Sequence, residues 1–423
     1  MTHVKFHLEN RNPILLSCKF FMHLRTKLPG LIFPVLPVTL FFPIGVMYVG
    51  IVFYFVTWFA SGDLREKWMN ISQYPIFKAN LLFIVVVLLS AVFLSAGNEH
   101  RWSGILHYLV FMFLLFFAAG ADDIAYHRAK LGLFIGTLYA GLVFCSAKAE
   151  FLPDWVIFSY YQQYAGNKSI SIGVFMAIAA AWMLNEAFDA AEGRTILKYL
   201  AAYAFTEWTV VQFSVTRTGT LLVYLLSALV ILYRFQFNRR DLAITSVVFI
   251  AMIGVVVSNG PGNRRLQEIA PIMKALQEGE AGSGESARLQ FLRVTGQMIT
   301  EKPILGYGIG GWRHEYPIRA QGLETALMST PHNDYLLYGA ELGLIGPTLL
   351  VWIFGILVRE ALRANSTKGT ALLLVMVALT VSSMFNAMLR DWRFGVPLML
   401  MIAIAHRNSV TLSSPHKTDD RCV

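Results

Sequence analysis

The sequence predicts an all-α fold, a polytopic transmembrane helical bundle of about twelve spans with one large helical loop on its outer side. Three observations predict it. Of the 423 residues, 56% are hydrophobic and only 14% are charged, whereas soluble domains carry about a quarter charged residues. Apolar runs near the roughly 20 residues needed to cross a bilayer recur along the chain. One polar stretch, Asn259 to Asn333, interrupts them.

The basic residues of this chain indicate membrane topology and no nucleic-acid partner. The net charge is +9, but Lys and Arg are scattered over short connections between apolar runs, as the positive-inside rule expects. Cys18, Cys145 and Cys422 lie far apart and show no metal or redox spacing. The basic N-terminus lacks an apolar stretch with a cleavage site, so no cleaved signal peptide is expected.

Charged connections assign the two sides of the bundle. The basic segments 234–240 and 359–368 are expected inside the cell. One span follows the first segment and one span precedes the second, so the polar stretch between these two spans is expected outside. By parity, Leu31–Ala60 holds an even number of crossings, and its prolines favour a hairpin of two short helices. The other spans are expected near Leu81–Ala96, Ile105–Ala119, Leu131–Ser146, Ile170–Leu184, Leu197–Phe213, Leu221–Leu232, Ala243–Ser258, Tyr335–Leu357, Leu372–Met388 and Phe394–Ala405.

Four parts follow from this topology. Residues 1–258 form an N-terminal transmembrane bundle of about nine spans, 259–334 the outer loop subdomain, 335–406 a C-terminal bundle of three spans, and 407–423 an inner tail. Within the loop, apolar spacing predicts amphipathic helices at 264–278 and 285–300. The glycine-rich segment 306–311 predicts a tight turn where backbone comes close to a ligand or a helix.

Arginines on the outer side are candidate anion-binding residues. Arg217 lies in a polar turn between two spans, where a charge is costly unless it is paired or snorkels as a helix anchor. Arg288 and Arg293 lie on the second loop helix, at the depth of phosphate groups if its apolar face meets the membrane. Guanidinium groups bind phosphate oxygens in bidentate fashion. The alternative for this pair is a solvated helix face.

His332 is the candidate base, at the point where the loop returns to the membrane in Pro-His-Asn-Asp-Tyr. A neutral imidazole can take a proton from a sugar hydroxyl at pH 7, and the alternative is a capping or interfacial histidine. Asn333, Tyr335 and Trp312 are further loop candidates, and His314 competes with His332. No carboxylate pair or His/Cys cluster has metal-ligand spacing on the outer face, so arginine and lysine are expected to neutralise a phosphate-bearing substrate.

These features together resemble the O-antigen ligase and polymerase superfamily. The resemblance is carried by the topology and by three short motifs, Ser214-Val-Thr-Arg-Thr-Gly219, Gly306-Tyr-Gly-Ile-Gly310 and Pro331-His-Asn-Asp-Tyr-Leu336. It implies a multi-pass protein of the bacterial inner membrane whose loop is periplasmic. It also implies transfer of a glycan from undecaprenyl pyrophosphate without metal or cofactor. The ligase of this superfamily joins the glycan to a sugar hydroxyl of the lipid A core, with inversion.

The resemblance also implies roles for residues. His332 is then the base that activates the acceptor hydroxyl, and Arg288 and Arg217 hold the pyrophosphate and stabilise its departing charge. Lys168, in a polar segment before a span, and Arg293 join that group. The partners are the lipid-linked donor, the lipid A core and membrane lipids. An O-antigen polymerase or a protein O-oligosaccharyltransferase would share the donor, whereas a lipid-linked sugar transporter would need buried mid-span charges that the sequence lacks.

Overall fold

The fold is helical throughout the part of the chain that the computed structural model describes, which is residues 25–95, 97–149, 168–213, 216–234, 284–364 and 366–410. This confirms the predicted all-α class. The helices are α1 (Leu36–Thr39), α2 (Ile44–Ala60), α3 (Leu64–Gln73), α4 (Phe77–Phe93), α5 (Arg101–Tyr108), α6 (Val110–Ala118), α7 (Asp123–Lys148), α8 (Lys168–Asp189), α9 (Gly193–Phe213), α10 (Arg217–Arg234), α11 (Gly284–Glu301), α12 (Gly311–Arg319), α13 (Asp334–Leu342), α14 (Ile345–Arg363), α15 (Ser366–Phe385) and α16 (Trp392–Val410).

Several of these helices can cross a bilayer, which makes the chain a multi-pass membrane protein. Among the described residues, five helical segments are long and apolar enough, namely Arg101–Ala118, which joins α5 and α6, and Asp123–Ala147, Ser169–Asp189, Arg217–Arg234 and Ile345–Arg363. A sixth results if α2 and α3, bent by 116°, count as one span. The total of about twelve stays a prediction, because the expected span at 243–258 lies outside the described residues.

Helix α8 lies at the centre of the bundle and brings two chain segments to the same end. It is almost wholly enclosed and packs against α9, α10 and α15. Glycine permits a close approach of α8 and α10, since a Cβ built on Gly219 of α10 would lie 2.9 Å from the Cα of Gly173. Because α8 and α10 start on the same side of this crossing, the backbone at Lys168 and Arg217 shares one end of the bundle.

The loop subdomain consists of α11, α12 and a short 3-10 helix, Glu324–Leu327, around an aromatic core. The fully buried Trp312 stacks on Tyr316 with ring centroids 4.3 Å apart, and its Nε1 donates a hydrogen bond to Thr295 Oγ1 at 2.9 Å. Helix α11 confirms the amphipathic helix predicted at 285–300. The helix predicted at 264–278 lies outside the described residues.

The glycine-rich turn fastens this subdomain to the bundle. A Cβ on Gly308, where φ is +81°, would lie 2.5 Å from Ser95 Oγ and 2.9 Å from the Leu94 carbonyl carbon, just after α4. The predicted tight turn is therefore confirmed, and its close neighbour is the end of a helix. On its other side the Gly308 amide donates to the Glu341 carbonyl at 2.9 Å, which holds the turn against the end of α13.

The predicted single span Tyr335–Leu357 is wrong, because the chain forms two helices there. Helix α13 ends at Leu342, Gly343 takes a φ of +64°, and α14 begins at Ile345. The Leu344 amide donates to the Pro303 carbonyl at 2.7 Å. The Leu344 amide thus donates to a carbonyl before the glycine-rich turn, whereas in a continuous helix it would donate to a carbonyl of that same helix. Near the N-terminus, Pro43 separates the helical residues 25–39 from α2, as the predicted hairpin requires.

Candidate functional site

Four segments that are distant in sequence meet at one end of the bundle. Arg217 begins α10, Arg288 lies on α11, His332 precedes α13, and Arg390 lies between α15 and α16. The ring of Phe291, one turn after Arg288, lies 5.8 Å from the His332 imidazole. The positive charges of Arg288 and Arg390 both act on His332, and that of Arg217 acts on Arg288. The structure therefore joins the three predicted residues and adds Arg390.

The electrostatics of this cluster favour an anion beside a neutral base. Desolvation and the charge of Arg217 lower the pKa of Arg288, which still stays a cation in any ordinary buffer. Desolvation, followed by the charges of Arg288 and Arg390, lowers the pKa of His332 from 6.5. The imidazole is therefore predominantly neutral at pH 7, the form that accepts a proton. A bound anion would relieve the mutual repulsion of the cations.

His332 has an uncommon backbone conformation. Its φ is +52°, in the left-handed region that non-glycine residues rarely adopt and that costs on the order of 1 kcal/mol. The turn is held on both sides, since the His332 amide donates to Thr330 Oγ1 at 3.3 Å and Asn333 Oδ1 accepts from the Leu336 amide at 3.0 Å to cap α13. The side chain of His332 is exposed. Such strain clusters at functional sites.

Asp334 connects the histidine turn to Arg390. Its buried carboxyl oxygens accept hydrogen bonds from the amides of Leu389 at 2.9 Å and Arg390 at 3.4 Å. Burial raises the pKa of this carboxyl to about 7, against the effect of those donors. On the other side, His107 Nδ1 lies 2.8 Å from the Arg390 carbonyl oxygen. The backbone that carries Arg390 is therefore fixed from two directions.

Three of the predicted loop candidates hold the segments that carry the candidate site in place. Besides capping α13, Asn333 donates through Nδ2 to the Met384 carbonyl at 2.9 Å, and Tyr335 donates through its hydroxyl to the Thr380 carbonyl at 3.1 Å. Both bonds reach α15. Trp312 lies in the buried core of the loop subdomain, where it packs against Phe291 with centroids 6.3 Å apart. Trp312 therefore affects His332 only through Phe291, which contacts both rings.

Two predicted anion-binding residues are not placed in the cluster. Arg293 is exposed and follows Arg288 by five positions, about 140° around an α-helix, so it points away from the face that carries Arg288 and Phe291. Its role stays a prediction. Lys168 begins α8 at the same end of the bundle as Arg217, but its side chain lies outside the described part of the structure.

Arg390 and Asp334 are the site residues that sequence reasoning missed. In the sequence, Arg390 and Arg393 stand in the short connection between the spans expected at Leu372–Met388 and Phe394–Ala405. By parity that connection lies on the outer side, where the positive-inside rule disfavours arginine. That conflict was the available signal for Arg390. For Asp334 no signal was available, because its partners lie 55 and 56 positions away in sequence.

The described residues contain no group of three or more His, Cys, Asp or Glu side chains that could hold a metal ion. The charges that act on His332 are both positive. What this arrangement can do chemically is bind an anion with guanidinium groups and remove a proton beside it.

A comparison with protein families gives this chemistry a context. The family model described as O-antigen ligase matches residues 202–352, the segment that contains Arg217, Arg288 and His332. No curated protein matches the chain. This segment of the chain is therefore similar to the O-antigen ligase family, a family of membrane glycosyltransferases of the ligase and polymerase type.

Proposed function

We propose that the chain is an O-antigen ligase of the bacterial inner membrane. It transfers a polysaccharide from undecaprenyl pyrophosphate to a sugar hydroxyl of the lipid A core, on the periplasmic side, without a metal ion and with inversion. The observation that carries this proposal is that the charges of Arg288 and Arg390 both act on a neutral His332, while the charge of Arg217 acts on Arg288. The similarity of residues 202–352 to the O-antigen ligase family supports glycan transfer.

The arginines are suited to the diphosphate of the donor. A guanidinium group gives two parallel hydrogen bonds to phosphate oxygens and keeps its charge. When the bond between the anomeric carbon and the phosphate oxygen breaks, the electron pair leaves with the diphosphate. Cations already fixed in place stabilise this developing charge without reorganising. Arg288 and Arg390 are the arginines whose charges reach the histidine.

His332 is suited to the acceptor. As the acceptor oxygen attacks the anomeric carbon opposite the diphosphate, the neutral imidazole takes the hydroxyl proton. Attack from that face inverts the configuration. The negative diphosphate offsets the positive charge of Arg288, so the bound donor makes the imidazole a stronger base. Donor binding and proton removal are therefore coupled through Arg288.

Helix α11 supports a donor that arrives from the membrane. Leu289 and Leu292, next to Arg288 on this helix, are 43% and 53% exposed. A helix with apolar side chains on its surface and arginine among them is typical of the membrane–water boundary. In this proposal the phosphate-binding Arg288 stands beside apolar surface, the combination that a polyprenyl diphosphate requires.

The test is a lipopolysaccharide gel of a strain that lacks this chain, complemented with variants. We expect wild type to restore long-chain ladders and His332→Ala to abolish them at equal membrane abundance. His314→Ala is the matched control, since His314 is an exposed histidine of the same subdomain, and it should behave as wild type. Ladders that survive in the His332→Ala strain would remove the histidine from the mechanism.

The same strain separates the ligase from its nearest alternative. Loss of a ligase leaves finished polymer on the carrier lipid, because chain growth continues without transfer. Loss of a polymerase leaves single repeats attached to the lipid A core. We expect polymer on the carrier lipid in the His332→Ala strain, and single-repeat caps would assign the chain to polymerisation.

A further inference from the structure

A partly open cleft lies directly beside the cation cluster. Its walls come from the start of α5, from α12 and from the segment before His332, and Arg390 forms part of them. Ser329, also in the wall, precedes His332 by three residues, so the two backbones are at most about 11 Å apart. Neither Arg217 nor Arg288 lines the cleft. It is therefore a neighbour of the proposed base that the proposed diphosphate site does not fill.

Two guanidinium groups in the wall of this cleft carry positive charge without an ion pair. Arg313 of α12 is exposed, and Arg390 is partly buried. Neither guanidinium has an ion pair or a hydrogen bond to another described residue. The charge of Arg313 acts on Arg390. Because like charges in one wall repel each other, a bound anion would offset that repulsion.

The carboxyl groups closest in effect to Arg390 are engaged elsewhere. Glu341 also lines the cleft, but it is buried, and its Oε2 accepts a hydrogen bond from the Tyr108 hydroxyl at 2.7 Å. Burial raises the pKa of Glu341 to about 7, so much of this carboxyl is uncharged at neutral pH. Asp391, whose charge also acts on Arg390, forms an ion pair with Arg393. The net charge of the cleft is therefore positive.

The other polar groups of the wall suit hydroxyl groups next to an anion. His107 Nδ1 lies 2.8 Å from the Arg390 carbonyl oxygen, which can only accept, so Nδ1 carries the proton. In the neutral ring Nε2 is then an acceptor. The exposed Ser103 and Ser329 add hydroxyl oxygens to the wall. Guanidinium groups beside acceptors of this kind are the chemistry that binds an acidic sugar.

The size of the cleft limits what can enter it. Its volume is about 20 Å³, whereas a single water molecule needs roughly 10–15 Å³. The cleft therefore admits one small end group of a ligand, and a sugar ring stays at its mouth. A carboxylate, or the outer oxygens of a phosphate, is an end group of this size that two guanidinium groups can bind.

We propose, resting on the proposed function, that this cleft binds an acidic substituent of the acceptor saccharide, a carboxylate or a phosphate. Arg313 and Arg390 hold the anion, and hydroxyl groups beside it meet His107 and the two serines. The donor diphosphate keeps Arg217 and Arg288. Arg390, which lines the cleft and acts on His332, is common to both substrates. The anion thus fixes the acceptor while its reacting hydroxyl lies at the histidine.

Isothermal titration calorimetry of the full-length chain in neutral detergent at pH 7 tests the cleft without requiring glycan transfer. The probes are glucose 6-phosphate and glucuronate, with glucose as the neutral control. Wild type should bind both acidic sugars roughly tenfold more tightly than glucose, and Arg313→Gln should lose that difference, as expected for a lost hydrogen bond to a charged group. Arg293→Gln, at another exposed arginine of the loop subdomain, should bind as wild type.

Two results would overturn the proposal. Equal affinity of wild type for glucose and for the acidic sugars would show that no anion is recognised. Loss of acidic-sugar binding in Arg288→Gln, with none in Arg313→Gln, would assign the anion to the diphosphate site.

The lipopolysaccharide gel separates this proposal from the proposed function. A chain that restores long-chain ladders but does not distinguish acidic sugars from glucose would refute the cleft alone. A chain that binds acidic sugars through Arg313 but restores no ladders would refute glycan transfer, and with it the acceptor as the ligand, while upholding the cleft as an acidic-sugar site.

Discussion

The buried carboxyl group of Asp334 makes the stability of the site region depend on pH. Burial raises its pKa from 3.8 to about 7. As pH rises between these values, the unfolded chain loses this proton while the folded chain keeps it, so the free energy of unfolding falls. A shift of about three pKa units corresponds to roughly 4 kcal/mol, lost progressively from pH 4 upward and complete above pH 7.

The substitution Asp334→Asn removes this titration and part of the hydrogen bonding. The amide oxygen can keep the 2.9 Å bond from the Leu389 amide, whereas the Arg390 amide loses its acceptor. Losing that bond costs about 1–2 kcal/mol at every pH. The cost is smaller than the roughly 4 kcal/mol that wild type loses on ionisation. We therefore expect wild type to be more stable at pH 4 and the variant to be more stable at pH 8.5.

This reversal is measured as the thermal unfolding midpoint in a neutral detergent, with size-exclusion chromatography as the readout of folded protein. The other buried carboxyl of α13, Glu341, also has its pKa raised by burial to about 7, but it is present in both proteins and cancels in the comparison. Glu324→Gln, a change at an exposed carboxylate, should follow wild type at both pH values. Parallel pH profiles for wild type and Asp334→Asn would refute the reasoning.

Further predictions concern Arg390 and the glycine turn. Arg390→Gln should lower kcat/KM for glycan transfer by about 10- to 100-fold, as expected for a lost contact to a charged group, whereas Arg293→Gln should change it by less than about threefold. Because the charge of Arg390 lowers the pKa of His332, Arg390→Gln should also move the acidic limb of the rate–pH profile to higher pH; an unmoved limb would contradict that coupling. Gly308→Ala should reduce the yield of folded protein, because its Cβ would lie 2.5 Å from Ser95 Oγ at a φ of +81°, while Gly296→Ala, with open space around it, should be tolerated.

Local sequence was enough to predict part of the site. Arg217 and His332 each stand in a short polar motif next to a span. An ionisable side chain there costs free energy unless it is paired, which makes it a candidate functional residue. Arg288 stands on a helix whose apolar spacing is visible in the sequence. Hydropathy also predicted the helical class. These signals come from neighbours within a few positions, which is the range that pattern reasoning covers.

The rest of the site depends on contacts that link distant segments. Arg390 is placed by the carboxyl of Asp334, and the break at Gly343 depends on a hydrogen bond from Leu344 to Pro303. Neither contact gives a periodic pattern that could be recognised in the sequence. A continuous helix through Gly343 was the reasonable expectation from hydropathy, because the stretch is apolar on both sides of it. The competing hydrogen bonds override that tendency.

Helix α13 connects the glycine-rich turn to His332. We therefore expect this turn to affect glycan transfer although it lies away from the histidine. Nine residues long, or about 13 Å, it carries the histidine turn at its start and contacts the glycine turn at its end. At the start, Asn333 and Asp334 bind it to the segments around Met384 and Arg390. At the end, the Gly308 amide binds the Glu341 carbonyl. Because the helix is short and held at both ends, a shift of the glycine turn moves His332 relative to Arg390. The positive end of the α13 dipole also faces the cluster, which adds to its attraction for a phosphate.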